Sequence, residues 1–150
     1  MMAKTLGYLL TWTTYGTWLQ GDERGYVKNG KTYPGNKALK KANESSQSSE
    51  AVLLSKTEKQ IVRQAIIKEA ALHGQQIYAL SVCSNHVHVV AGYIEKPISK
   101  IVAYYKKAAR LALKSTGRTG KVWTRGYDKR FCFDRTTLKQ EIKYVVDHEE

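Results

Sequence analysis

The chain opens with LGYLLTWTTY at positions 6–15, a run of β-branched and aromatic residues that suits a pleated strand. Periodicity then lapses from Gly16 to about Leu54, a stretch holding GDERG at 21–25 and ending in the polar run KKANESSQSSE. That span reads as a long loop over 16–54, with a mobile second part at 43–50 and an ordered contact surface before it. Ser55 and Glu58 have capping-box spacing, and Ile61, Val62, Ala65, Ile66, Glu69 and Leu72 then recur at helical intervals until Gly74 stops the helix. QIYALSVC at 76–83 and HVHVVAGY at 86–93 read as two strands of a hairpin joined by Ser84 and Asn85.

Pro97 opens a second helix that runs to about Ser115, with a buried stripe expected at Ile98, Ile101, Val102, Tyr105, Ala109 and Ala112. After STGRTGK, the segment 122–133 leads into a last strand. A final helix is expected to start near Thr136 or Thr137, where Thr137 and Gln140 have capping-box spacing, and to bury Leu138, Ile142 and Val145. The order strand, helix, strand, strand, helix, strand predicts an α+β ferredoxin-like sandwich with a central antiparallel sheet, helices on one face and an additional C-terminal helix. At 150 residues the chain is expected to form a single domain over 1–150.

Charge changes the picture from fold to partner. Lys and Arg number 25 against 13 Asp and Glu, a formal charge of +12, which points to a polyanion and first to nucleic acid. On the second helix Lys100, Lys107 and Lys114 recur every seventh position, with Lys106 and Arg110 near them; together with Arg118 and Lys121 they form a candidate phosphate-contacting stripe. Trp12, Tyr15, Trp18, Trp123 and Tyr127 are available for base stacking; Trp12 and Trp123 are expected in the core, and Trp18 beside the loop is the better DNA candidate. No apolar run reaches 18 residues and the start lacks a signal peptide, so a cytoplasmic protein with no membrane partner is expected. Cys83 and Cys132 are isolated and read as small core residues.

Candidate chemistry concentrates in SNHVHVV at 84–90. In a strand His86 and His88 point to one side while Val87 and Val89 point to the other. Taken alone, metal ligation and hydrogen-bonded packing are equal readings of such a pair. On the final helix Tyr144 and His148 are four apart and share a face, with Glu141 beside them.

The motif NHVHVV, the phrase TWTTYGTWLQGDERG, the basic second helix, WTRGYDKRF and the terminal IKYVVDH together resemble the HUH single-tyrosine transposases, in particular the REP-associated tyrosine transposases. The likeness runs in order from about Leu9 to His148. It implies metal ligands at His86, His88 and His148, a nucleophile at Tyr144, and Mg²⁺ or Mn²⁺ as cofactor. His148 stands where the family commonly has glutamine, and three imidazoles favour Mn²⁺ or a softer ion over Mg²⁺. The implied activity is a metal-dependent single-stranded DNA endonuclease and strand transferase that forms a 5′-phosphotyrosine on hairpin-containing DNA ends. The resemblance also places Arg24 of GDERG near DNA and allows either a monomer or a homodimer with exchanged tyrosine helices. Glu141 and a metal-held water both stay open as acceptor of the tyrosine proton. The alternative is a non-catalytic or domesticated nucleic-acid-binding module on the same fold.

Overall fold

The computed structural model of the chain describes residues 4–17, 26–28, 31–33 and 51–149. Strand β1 (Gly7–Thr13) is followed by two short strands, β2 (Tyr26–Lys28) and β3 (Lys31–Tyr33), which pair with each other as a separate ribbon inside the span expected as loop. Next come helix α1 (Lys56–Leu72), the hairpin β4 (Ile77–Val82) and β5 (His86–Gly92), helix α2 (Ile98–Ser115), strand β6 (Asp128–Cys132) and helix α3 (Arg135–Asp147). The main sheet has the order β4-β5-β1-β6, every neighbour antiparallel. This is the split arrangement of a ferredoxin-like fold, in which each crossover helix carries the chain past one intervening strand. Among the described residues no helix is long and apolar enough to cross a membrane.

Alternation along the strands divides the side chains between two cores. Leu10 and Trp12 of β1 and Val87 and Val89 of β5 join Val62, Ile66, Ile101, Val102 and Tyr105 in the larger core beneath α1 and α2. Leu9, Ala79 and Val90 face the other way and meet Val145, with Leu138 and Ile142 packed alongside, so α3 covers the opposite face. Trp12 is fully buried and meets half-buried Trp123 edge-to-face at 6.2 Å, as expected of two core tryptophans.

Helix boundaries follow local chemistry, with three corrections. The capping box of α1 is present: Glu58 N–H donates to Ser55 Oγ at 3.2 Å, and Ser55 N–H donates to Glu58 Oε1 at 3.0 Å. Leu72, expected on the buried stripe, is 73% exposed, because Ala70 makes the last core contact of α1. In α2 the stripe ends on Leu113, fully buried, while Ala112 is half-buried. The N-cap of α3 is Asp134, whose Oδ1 accepts the Thr137 N–H at 2.7 Å; the helix begins at Arg135, so Thr137 lies within its first turn and no Thr137–Gln140 box forms.

Candidate functional site

The β4–β5 turn fixes the first part of the site. Cys83 N–H donates to the His86 carbonyl at 2.8 Å, closing a two-residue connection through Ser84 and Asn85. That turn is held from two sides. Leu54 N–H donates to the Ser84 carbonyl at 2.7 Å, and Thr14 N–H donates to the Asn85 carbonyl at 2.9 Å. His86 and His88 therefore start β5 on a rigid base, opposite Thr13 and Thr11 of β1, with both imidazoles on the α3 side.

Helix α3 brings the second part. Its stripe of Leu138, Ile142 and Val145 anchors it across the sheet, and the adjoining line of Tyr144 and His148 falls over the strand histidines. Ring centroids lie 4.8 Å apart for His86 and His88, 5.1 Å for His86 and His148, and 4.6 Å for His88 and His148. Tyr144 completes the group at 5.5 Å from His88 and 5.4 Å from His148, and it is 48% exposed. The four side chains implied by the sequence thus converge from positions more than fifty residues apart.

Hydrogen bonds orient the imidazoles. His86 Nδ1 lies 2.7 Å from Asn85 Oδ1, which only accepts, so Nδ1 carries a proton and Nε2 is the nitrogen turned toward α3. That Nε2 faces the Nε2 of His148 at 3.0 Å. Two nitrogens about 2.1 Å from one ion lie about 3.0–3.4 Å apart, so the pair is spaced to share a cation. His88 Nδ1 pairs with Thr11 Oγ1 at 2.8 Å. Burial, then the neighbouring His86, His148 and Arg130 charges, push the His88 imidazole down to about 3, so it is neutral at physiological pH and can offer a lone pair.

Two residues absent from the sequence-based site belong to this face. Cys83 Sγ and the ring nitrogens of His86 and His148 all lie within 4.8 Å of one another. Arg130 on β6 is paired with Leu9, on the same side of the sheet as Thr11 and His88, with Asp128 Oδ2 at 3.9 Å. The motif WTRGYDKRF contains Arg130, but only the β1–β6 register shows which face it takes.

The basic stripe lies elsewhere. Helix α2 packs on the larger core, so Lys100, Lys107 and Lys114, all exposed, sit in the layer on the far side of the sheet from the histidines. Arg110, Lys114, Arg118 and Lys121 line an open cavity of about 500 Å³ with Thr119 and Gly120. Lys121 Nζ stands 5.5 Å above the Tyr15 ring. Lys106 instead donates to the carbonyls of Thr124 and Gly126 at 3.0 and 2.7 Å, and burial lowers its ammonium to about 8. Arg118 binds Glu58 Oε1 at 2.9 Å and thereby holds that carboxyl down to about 2. Trp18 and Arg24 fall outside the described residues.

Comparison with known proteins agrees with this architecture. The sequence pattern of the family described as "Transposase IS200 like" matches residues 46–148. No curated protein matches the chain. A REP-associated tyrosine transposase solved bound to a REP hairpin is similar in fold, with a TM-score of 0.58 at 14% identity, covering 99% of this chain and 72% of the other. A crystal structure of a candidate transposase from Deinococcus radiodurans R1 has a TM-score of 0.50 at 17% identity, covering 99% of this chain and 94% of that one.

Proposed function

The chain belongs to the IS200-like transposases, and from that premise we propose that it is a metal-dependent DNA-nicking and joining enzyme that uses Tyr144 as nucleophile. The observation that carries this reading is the convergence of Tyr144 and His148 from α3 with His86 and His88 from β5. A nucleic-acid-binding module has no use for a half-exposed tyrosine set against the imidazoles of His88 and His148. The solved relative carries a REP hairpin, which supports single-stranded or hairpin DNA as substrate here.

The imidazoles suit a divalent cation: His86 and His148, with donor nitrogens 3.0 Å apart, would hold it together with His88, whose ring lies beside both, and Asn85 and Thr11 fix the His86 and His88 rings. When bound, such an ion supplies positive charge to polarise a non-bridging phosphate oxygen. Tyr144 Oη attacks the phosphorus in line, the bond to the leaving 3′-oxygen breaks, and that oxygen takes a proton to become a free 3′-hydroxyl. The DNA 5′-phosphate is then joined to Tyr144, and the retained ester energy lets a second strand's 3′-hydroxyl displace the tyrosine without ATP. A phenol is a weak nucleophile until its proton leaves, so the Tyr144 proton must go as the bond forms. Arg130 adds a cation on the same face able to meet a flanking phosphate.

DNA contact through Lys100, Lys107, Arg110, Lys114 and Lys121 is proposed as the sequence-independent part of binding. A strand touching both this layer and the histidines passes round an edge of the sheet. The test is incubation with labelled hairpin oligonucleotides and Mn²⁺ or Mg²⁺, followed by a denaturing gel. A covalent band that needs metal and vanishes in Tyr144→Phe, with DNA affinity retained, is the expected result. Adduct formation by Tyr144→Phe would remove that residue from the mechanism.

A further inference from the structure

Cys83 has no part in the chemistry above and is fully buried, as expected of a small core residue, yet polar groups meet its sulfur. Its Sγ lies 3.5 Å from Ser81 Oγ and 3.6 Å from the His148 carbonyl, and it shares a 4.8 Å neighbourhood with donor nitrogens of His86 and His148. We infer that Cys83 is a ligand of the same ion, which makes the site selective for a thiophilic divalent cation of the Zn²⁺ type over Mg²⁺. The inference rests on the reading of His86 and His148 as ligands.

Backbone geometry places the sulfur by design of the turn rather than by chance of packing. Cys83 and His86 flank the two-residue connection and are joined by the 2.8 Å backbone bond, so their side chains leave the hairpin on the same face. His148 arrives as the C-cap residue of the final helix, and its carbonyl accepts from the thiol. Around an ion that takes the sulfur beside the imidazoles and expands to keep one position for phosphate, with nitrogen at about 2.0–2.1 Å and sulfur at about 2.3 Å, neighbouring donors stand about 3.0–3.7 Å apart. The imidazole nitrogens are already at 3.0 Å. The widest separation in the group, at most 4.8 Å, closes by about an ångström through rotation of the half-buried His86 and His148 side chains.

Ligand chemistry then decides the ion. Mg²⁺ takes oxygen donors and is a poor partner for sulfur, whereas Zn²⁺ and Co²⁺ accept imidazole and thiolate together. Binding would release the thiol proton to solvent, leaving the sulfur as the anionic donor.

Cobalt titration of the full chain tests this without reference to DNA cleavage. Wild type should show visible d–d bands together with a thiolate-to-cobalt charge-transfer band in the near ultraviolet. Cys83→Ser should keep the d–d bands, lose the charge-transfer band, and bind Zn²⁺ about tenfold or more weakly. Cys132→Ser, at a buried thiol on β6, should change neither. Should Cys83→Ser fail to fold, the same question is answered in Cys132→Ser: Zn²⁺ should then slow alkylation of the remaining thiol. Cobalt bands without sulfur charge transfer in wild type, or alkylation unaffected by Zn²⁺, would overturn the assignment of Cys83. Neither result touches the tyrosine reading, which stands or falls on the Tyr144 adduct with Mn²⁺ or Mg²⁺.

Discussion

The two faces of the main sheet are built from the same strands and do different work. Toward α1 and α2 the strands present Leu10, Trp12, Val87 and Val89, all fully buried carbon surface. Toward α3 they present Thr11, Thr13, Ser81, Cys83, His86 and His88, with apolar Leu9, Ala79 and Val90 only where the helix rests. Alternating residues of one strand thus supply either cohesion or the side chains of the candidate site, and the packed first face backs the strands that carry those imidazoles. A buried imidazole costs stability unless it is hydrogen-bonded, and Thr11 and Asn85 supply those bonds.

Truncation on the packed face should separate the two roles most strongly. Leu10→Ala removes a fully buried side chain and should cost about 2–5 kcal/mol, measured as a lower urea midpoint. At a temperature where the variant is still folded, its adduct yield on hairpin DNA should match wild type. A specific loss of adduct in folded Leu10→Ala would break the separation.

Acidification should act from the polar face. Unfolded histidine takes a proton near 6.5, whereas folded His88 does so only near 3, so between those values the unfolded chain holds the extra proton. Stability of the metal-free protein should be indifferent to His88 above about pH 6.5 and should fall below it by up to about 1.4 kcal/mol per pH unit. His88→Gln should flatten that slope in chelator-treated samples; an unchanged slope would show that His88 is not the buried neutral group described.

The smallest change belongs to a helix end on the packed side. Ser55→Ala removes the cap of α1 and should cost about 1 kcal/mol, with DNA binding and adduct formation intact. Glu58, freed from Ser55 though still bound by Arg118, should then titrate above its present value of about 2, a shift readable by NMR.

Local patterns in the sequence carried the fold well because its determinants are local. Period-two alternation in HVHVV set the faces of β5, and Ser55 with Glu58 marked the start of α1. Leu72 kept helical spacing but lies beyond the reach of the core, a fact set by where the sheet ends rather than by the helix. The cap of α3 went to Asp134 because a residue two or three positions upstream of the expected start offered the better acceptor.

The site was legible where one element holds its parts and obscure where three do. His86 and His88 share a strand, and Tyr144 and His148 share a helix face, so spacing alone grouped each pair. Cys83 joins them only through a hairpin turn and a helix end that meet in space. Lys106 and Arg118 show the converse: charge and proximity in the sequence grouped them with the exposed lysines, while in the fold backbone carbonyls engage the first and Glu58 the second.

Strand β6 sits at the margin of the sheet, pairing with β1 alone among the described residues. Its outer backbone amides and carbonyls are a template on which a stray extended chain could grow. Asp128, Lys129 and Arg130, charged in succession, line that margin and oppose such growth. The residue that can meet phosphate therefore also guards against aggregation, and neutralising Arg130 to probe catalysis should lower solubility along with it.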